Sequence, residues 1–170
     1  KTLGGLDTAQ KFLDLESIEY GLKLAAQGDA AQKARVLRAL DGARALIDPA
    51  WGGVYQYSTG GDWQHPHYEK LMRVQARYLK LYAQAFALWQ RREDGEAARA
   101  VARYMLGFLH DVGGAFYVSQ DADAVPGQKA TAYFALGDAA RRKLGVPRVD
   151  THVYADANGQ AIAALADYSN

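Results

Sequence analysis

The residues best suited to chemistry lie in one segment, residues 51–70, which reads WGGVYQYSTGGDWQHPHYEK. His65, His67 and Glu69 occupy alternate positions near its end. A histidine titrates near neutral pH, and a nearby carboxylate can orient it or act as an acid, so His67 and Glu69 could move a proton. Loops rich in aromatic, histidine and acidic residues are typical binding sites on a rigid scaffold.

Aromatic side chains in the same segment would complete a site for a sugar or another polar ligand. Trp63, Tyr55 and Tyr57 offer flat apolar faces to a pyranose ring, with His65 beside them. In the alternative interpretation, Glu69 interacts with the dipole of a helix start and the histidines bond to the loop backbone. The residues alone leave both interpretations open.

A metal site is a weaker interpretation of His65, His67 and Glu69. No further strong ligand lies nearby in the sequence, and the chain has no cysteine to supply a thiolate. We therefore predict no metal and no cofactor.

A second polar group lies in the segment QDADAVPG, which we predict to be a loop. The carboxylates of Asp121 and Asp123 could share a proton or hold two sugar hydroxyls, and the Gln120 amide could bind a hydroxyl. Alternatively, these aspartates bond to their own backbone in a turn. Lys11, which follows Gly4-Gly5, could reach the same end of the molecule or could be solvated.

The composition is that of a soluble globular protein, with 49% hydrophobic and 23% charged residues in a chain of 170. A net charge of +1 gives no field that would attract nucleic acid or a membrane surface. We expect a soluble protein, cytoplasmic rather than secreted. From its two ends, we also expect the sequence to be part of a longer chain.

Apolar residues recur at three- and four-residue spacing and predict helical hairpins. No linker divides the chain, so we expect a single helical domain over residues 1–170. We also expect AFYVS and TAYFAL to pair as short strands, and the basic run from Arg141 to Lys143 to be a solvated helix face. The predicted helices run from Leu15 to Gly28, from Asp29 to Pro49, from Pro66 to Trp89, from Asp94 to Gly113 and onward from Asn158.

Three segments, in order, resemble motifs of the DUF255 family, which includes the spermatogenesis-associated thioredoxin-like proteins. GGLDTAQKF is similar to the family's GGFGxAPKF, and GGVYQYSTGGDWQHPHYEKLM to GGFxRYSxDxxWxVPHFEKML. GGAFYVSQDADA resembles GGFYSAQDADS, and NGQAIAALA is a fainter match to WNGLxIxALA. The sequence departs from these motifs at Gln56, Gly60 and Ala157, where the family has an arginine, an acid and a tryptophan.

The resemblance implies an all-α fold, the first part of an (α/α) toroid of the six-hairpin glycosidase type, with site loops at one end. It implies an epimerase- or glycosidase-like, carbohydrate-active domain. The alternative is a non-catalytic helical scaffold, or a module that binds a partner such as an upstream thioredoxin-like domain. An incomplete toroid would leave helix faces uncovered, so a further domain or a homo-oligomer would complete the core.

Overall fold

The computed structural model describes residues 3–124 and 130–169, and within these ranges the chain is predominantly helical, which confirms the predicted all-α class. A single 3₁₀ turn, Arg44–Leu46, follows the second helix. The last residues of the predicted loop QDADAVPG lie outside the described ranges. The described helices are α1 (Leu15–Ala26), α2 (Ala30–Ala43), α3 (Met72–Trp89), α4 (Arg92–Phe108), α5 (Ala130–Phe134), α6 (Asp138–Leu144) and α7 (Ala155–Ser169).

The first helical hairpin forms because an aspartate caps each of its helices. The Asp14 carboxylate accepts a hydrogen bond from the backbone of Ser17 at the start of α1. Asp29 accepts one from the backbone of Gln32 at the start of α2. Such caps satisfy N–H groups that have no partner within the helix. Gly28 turns the chain between the two helices with φ of +101°.

Helix α3 is the centre of the molecule, with α1, α4 and α7 packed around it. Nine of its eighteen residues are buried, on more than one face, so the helix is covered on several sides. The helix α7 approaches α3 through three buried alanines, Ala157, Ala161 and Ala164. Small side chains allow this close contact.

Cross-helix contacts show that α1, α3 and α7 run in the same direction. Lys80 pairs with Glu19 of α1, and the backbone N–H of Leu13, just before α1, donates to the hydroxyl of Tyr78, two residues earlier in α3. Gln84 donates to Asp167, near the ends of α3 and α7. The starts of these three helices therefore lie at one end of the molecule, which we call the loop end.

Five two-residue strands connect the loops there: β1 (Tyr57–Ser58), β2 (Pro66–His67), β3 (Lys70–Leu71), β4 (Ser119–Gln120) and β5 (Val149–Asp150). Strands β1 and β2 pair antiparallel, and β4 lies between β3 and β5. An isolated bridge between Lys11 and Ser58 joins the first loop to the second. The loops before α1, before α3 and after α4 are therefore connected to each other at the loop end.

The structure corrects the predicted start of α3. Pro66 does not begin a helix; it lies in β2, and α3 begins at Met72. The backbone N–H of Gln56 bonds to the carbonyl groups of His67 and Glu69, which holds this segment extended. Glu69 and His65 consequently do not share a helix face.

Other element boundaries also differ from the prediction. The segment TAYFAL is not a strand, because its first four residues belong to α5 and because β3 and β5 already occupy both edges of β4. Asp94 does not cap α4, which begins two residues earlier; its buried carboxylate accepts from Arg44 instead. Helix α7 begins at Ala155, and the Asn158 side chain bonds to the backbone of Phe116.

Candidate functional site

Three buried charged side chains connect the segments of the loop end. The Asp48 carboxylate accepts from Lys70 Nζ at 2.7 Å and from two nitrogens of Arg141 at 2.6 and 3.0 Å. Lys70 also donates to the carbonyl of Gly52, and Arg141 to that of Phe134. This ion cluster, Asp48, Lys70 and Arg141, therefore joins three segments that are distant in sequence.

The cluster contains two cations and one anion, and burial changes their titration. Burial opposes ionisation of Asp48, but the hydrogen bonds and charges of Arg141 and Lys70 outweigh it, so its pKa is below the usual value. Burial lowers the pKa of Lys70 to about 8, against the attraction of Asp48. Aromatic rings partly replace the water lost by Lys70, because its Nζ lies 4.4 Å from the centroid of Tyr104.

A glycine pair shapes the turn that buries Asp48. Gly52 and Gly53 have φ of +75° and +73°, a region that favours glycine. A Cβ atom on Gly52 would lie 2.3 Å from the carbonyl oxygen of Ala100, and one on Gly53 would lie 2.4 Å from the Tyr104 ring. The turn can therefore approach α4 this closely only without side chains at these positions.

Tyr57 and His67 form the most accessible pair of candidate residues. They are directly opposite each other in β1 and β2, and their rings stack with centroids 5.1 Å apart and planes 11° apart. His67 is exposed and Tyr57 is half-buried. Tyr57 also lines an open cavity of about 260 Å³. An exposed histidine thus adjoins a flat ring and a recess.

The ladder of β3 and β4 brings the two predicted acidic segments to the same end. Lys70 is opposite Gln120, so Glu69 and Asp121 are the next residues at one end of this ladder. The side chains of Lys70 and Gln120 are buried, and alternation directs those of Glu69 and Asp121 to the other face. Both acidic residues are half-buried, whereas Asp123 is exposed.

Asp121 and His65 also make local contacts, and that of Asp121 is the one expected in the alternative interpretation. The Asp121 carboxylate accepts from the backbone N–H of Ala122 at 2.8 Å, as expected for an aspartate that stabilises its own turn. The imidazole of His65 lies 2.9 Å from Asp62 on the exposed turn between β1 and β2. These contacts leave both residues near the candidate site but already partnered.

Four other residues predicted to bind a ligand are buried structural residues. The Trp63 ring is in the core, and its Nε1 donates to the backbone of Leu3. Tyr55 packs edge-on against Phe134. The remaining two are occupied by protein groups, because Gln120 accepts from the Tyr104 hydroxyl and Lys11 Nζ donates to a backbone carbonyl of its own loop. The structure does not place these four in the accessible site.

The ion cluster was missed by sequence reasoning. Arg141 was predicted to be solvated with its basic neighbours, but its side chain is fully buried against Asp48. Apart from its place before Pro49, nothing in the sequence marks Asp48 as a buried or functional residue. Arg141 directs its charge inward while Arg142 is exposed, because a seven-residue helix presents one face to the core.

The described residues show no preformed metal site and no membrane span. Within residues 3–124 and 130–169, no group of three or more histidine, cysteine, aspartate or glutamate side chains is arranged to hold a metal ion. Within the same ranges, no helix combines the length and apolar character needed to cross a bilayer.

The helical hairpins of this chain superpose on solved structures with the (α/α) toroid fold. A family 76 glycoside hydrolase from Bacteroides thetaiotaomicron superposes with a TM-score of 0.64 at 14% identity, covering 92% of this chain and 32% of that one. Cellobiose 2-epimerase from Spirochaeta thermophila gives 0.56 at 19% identity, over 71% of this chain and 31% of that one. These likenesses confirm the predicted (α/α) toroid fold.

Sequence comparison gives relatives of a more particular kind. The chain is 33% identical over 81 residues to human spermatogenesis-associated protein 20, over 48% of its own length. It is 29% identical over 140 residues to an uncharacterised protein of Caenorhabditis elegans. Homology to spermatogenesis-associated protein 20 over this part of the chain confirms the resemblance read from the motifs. No family model matches the sequence.

The matched regions are small parts of these relatives. The alignments cover 10% of human spermatogenesis-associated protein 20 and 19% of the Caenorhabditis elegans protein. The chain thus corresponds to a limited segment of each of them.

Proposed function

We propose that the loop end binds a pyranose sugar and belongs to a carbohydrate-active site of the epimerase or glycosidase kind. The observation that carries this proposal is the exposed His67 stacked on Tyr57, close in sequence to Glu69, at the loop end of a toroid fold. The solved neighbours include a glycoside hydrolase and a cellobiose 2-epimerase. Because a fold can host several functions, the proposal depends on the residues of the site.

Each proposed role follows from the chemistry of a side chain. The half-buried Tyr57 ring supports the apolar face of the sugar, and the exposed imidazole of His67 exchanges a proton with it. Glu69 and Asp121, at the end of the β3–β4 ladder, supply carboxylates that hold hydroxyl groups or act as acid and base. Asp123 is exposed beyond them and would contact the ligand from the same loop.

Binding of neutral sugars tests the proposal directly. We expect saturable binding of D-mannose, D-glucose or cellobiose, measured by saturation-transfer NMR and titration calorimetry, and at least about tenfold weaker binding in His67→Ala or Tyr57→Ala. His152→Ala is the matched control, because His152 is an exposed histidine that also stacks on a tyrosine, Tyr154, but outside the site. Equal binding by wild type and His67→Ala would refute the proposed site.

A catalytic role is tested separately from binding. Conversion of cellobiose to an epimer, or of α-1,6-mannobiose to mannose, would be followed by anion-exchange chromatography. We expect His67→Ala and Asp121→Asn to abolish whichever reaction wild type performs, while His152→Ala retains it. Turnover that persists in both site variants would remove these residues from the mechanism.

A second candidate function, a non-catalytic module that binds a partner, is favoured by a different observation. Two motif residues shared with the family, Lys70 and Gln120, are buried and act in packing. Two apolar side chains, Val153 and Tyr154, are about half exposed near the loop end, at 50% and 49%. In this case Val153→Ser with Tyr154→Ser would weaken association with a thioredoxin-like domain in analytical ultracentrifugation, and sugars would not bind.

A further inference from the structure

The cavity beside Tyr57 contains a charged group without a protein partner. Arg77, in the middle of α3, lines this cavity of about 260 Å³. Its Nε atom is buried and has no hydrogen-bond partner. Among residues 3–124 and 130–169, no carboxylate lies within 4 Å of the Arg77 guanidinium, in contrast to Arg73 on the same helix, which pairs with Asp156.

A buried donor without a partner is costly, and a charged one especially so. A guanidinium stays protonated in proteins, so Arg77 cannot lose its charge to escape this cost. Most buried polar groups are satisfied by protein, by water or by a ligand. Nε itself is closed off from the cavity, so an acceptor would reach Arg77 through the terminal nitrogens of its guanidinium, which have no ion pair in the described structure. The position of Arg77 on the cavity wall points to such an acceptor.

The other residues of the cavity wall define what that acceptor is attached to. Gln10 and Gln56 contribute amide groups, and Tyr57 contributes a ring already stacked on His67. Phe12 and Val74 form part of an apolar surface. None of the described residues that line the cavity is acidic, so an anion would meet no repulsion from its wall.

From this arrangement we infer that the cavity binds a sugar that carries a carboxylate, a uronate, with the carboxylate on Arg77 and the ring on Tyr57. The inference rests on the proposed sugar-binding function and names its ligand class. A planar guanidinium matches a carboxylate through two parallel hydrogen bonds. One arginine balances a single negative charge, which favours a carboxylate over a doubly charged phosphate. The volume is below the roughly 300–1,000 Å³ of sites for drug-sized ligands, so it suits one sugar ring.

Charges near Arg77 support this assignment. Glu16 lines the groove on the other side of Arg77, without an ion pair to it in the described structure. Lys80, on the same groove, is engaged by Glu19. Arg77 therefore remains without an ion pair in the part of the chain that the structure describes, and the carboxylate of a uronate would complete its coordination.

The experiment compares acids with their neutral parents: D-glucuronate with D-glucose, and D-mannuronate with D-mannose. We expect at least one uronate to bind about tenfold or more tightly than its parent, and Arg77→Met to remove that preference. Arg103→Met is the control, because Arg103 is an exposed arginine on the outer helix α4. Arg77→Lys should recover only part of the preference, since it restores charge without the planar pair of donors.

A direct readout does not depend on the variants folding well. The Nε–H resonance of Arg77 in wild type should shift on addition of uronate but not of the neutral parent. If the neutral sugars and the uronates bind equally, the inference is overturned and the proposed function stands. If acetate binds as tightly as any uronate while no neutral sugar binds, an anion site exists and the proposed sugar-binding function fails. A tighter complex with D-glucose 6-phosphate than with glucuronate would replace the carboxylate by phosphate and overturn the inference.

Discussion

Replacement of Asp48 by asparagine tests the structural role of the ion cluster. Asp48 is the single anion between Lys70 and Arg141, and all three side chains are at most 1% exposed. Asparagine preserves the shape but removes the charge. Two cations would then remain buried without a counter-ion, 2.6 to 3.0 Å from a neutral amide.

The expected loss of stability is large. Removing one partner of a buried ion pair typically costs about 3–5 kcal/mol, because the remaining charge is left uncompensated. A domain of this size is typically stable by about 5–15 kcal/mol, so Asp48→Asn would remove a major fraction. Lys70→Met should cost much less, below about 2 kcal/mol, since the two-point contact between Arg141 and Asp48 remains and the surplus cation is gone.

Urea denaturation followed by circular dichroism would measure these differences, with the m-value confirming that the same surface is exposed. The matched control is Asp41→Asn. Asp41 also accepts from two arginines, Arg44 and Arg91, but its side chain is 45% exposed. Surface pairs contribute about 0–1 kcal/mol, so this variant should be close to wild type.

The order of stability of the three variants tests the structural role of the cluster. Asp48→Asn should be the least stable, Lys70→Met intermediate or near wild type, and Asp41→Asn near wild type. If the stability of Asp48→Asn lies within about 1 kcal/mol of that of Asp41→Asn, the buried cluster does not hold the loop end together.

Three further predictions follow from single positions. Gly53→Ala should lower the free energy of unfolding by about 2–4 kcal/mol in urea denaturation, because its Cβ would overlap Tyr104 at positive φ. The control Gly61→Ala, in open space at a similar φ, should cost about 1 kcal/mol. Equal costs for the two variants would contradict this prediction. Burial lowers the pKa of Lys70 from 10.5 to about 8 in the folded protein, so between these pH values the unfolded chain binds more protons than the folded one. The free energy of unfolding of the wild type, compared with that of Lys70→Met, should therefore rise as the pH increases from about 8 to about 10.5. Parallel pH profiles for the two proteins would show that Lys70 keeps an ordinary pKa. Asp29→Ala should lower stability by about 1 kcal/mol through loss of the α2 cap, with Asp29→Asn as the control that retains it.

Much of the helical framework could be predicted because its causes are local. Apolar spacing and the Asp29 cap located α2, and Gly28 located the turn before it. The start of α3 was missed, because the six residues from Pro66 are held extended by pairing with β1 and β4. Such pairing involves partners about ten and fifty positions away, which no local pattern reveals.

Motif positions were easier to locate than their roles. The segments that contain His67 and Asp121 were expected at the same end, and the β3–β4 ladder places them there. Trp63 and Gln120, equally suited to a ligand by type, are buried among protein partners. Arg77 was not predicted to be a site residue, because an arginine within a helix is usually solvated.

Local chemistry along the chain was sufficient to determine helical hairpins, their caps and the composition of the loops, because these depend on neighbours within a few residues. Tertiary packing decided which polar groups lost their water. Asp48, Lys70 and Arg141 became buried structural residues because distant segments met around them. His67 stayed exposed, and the half-buried Tyr57 and Arg77 line an open cavity. The difference is physical, since the cost of burying a charge depends on partners that only the folded chain brings within hydrogen-bond distance.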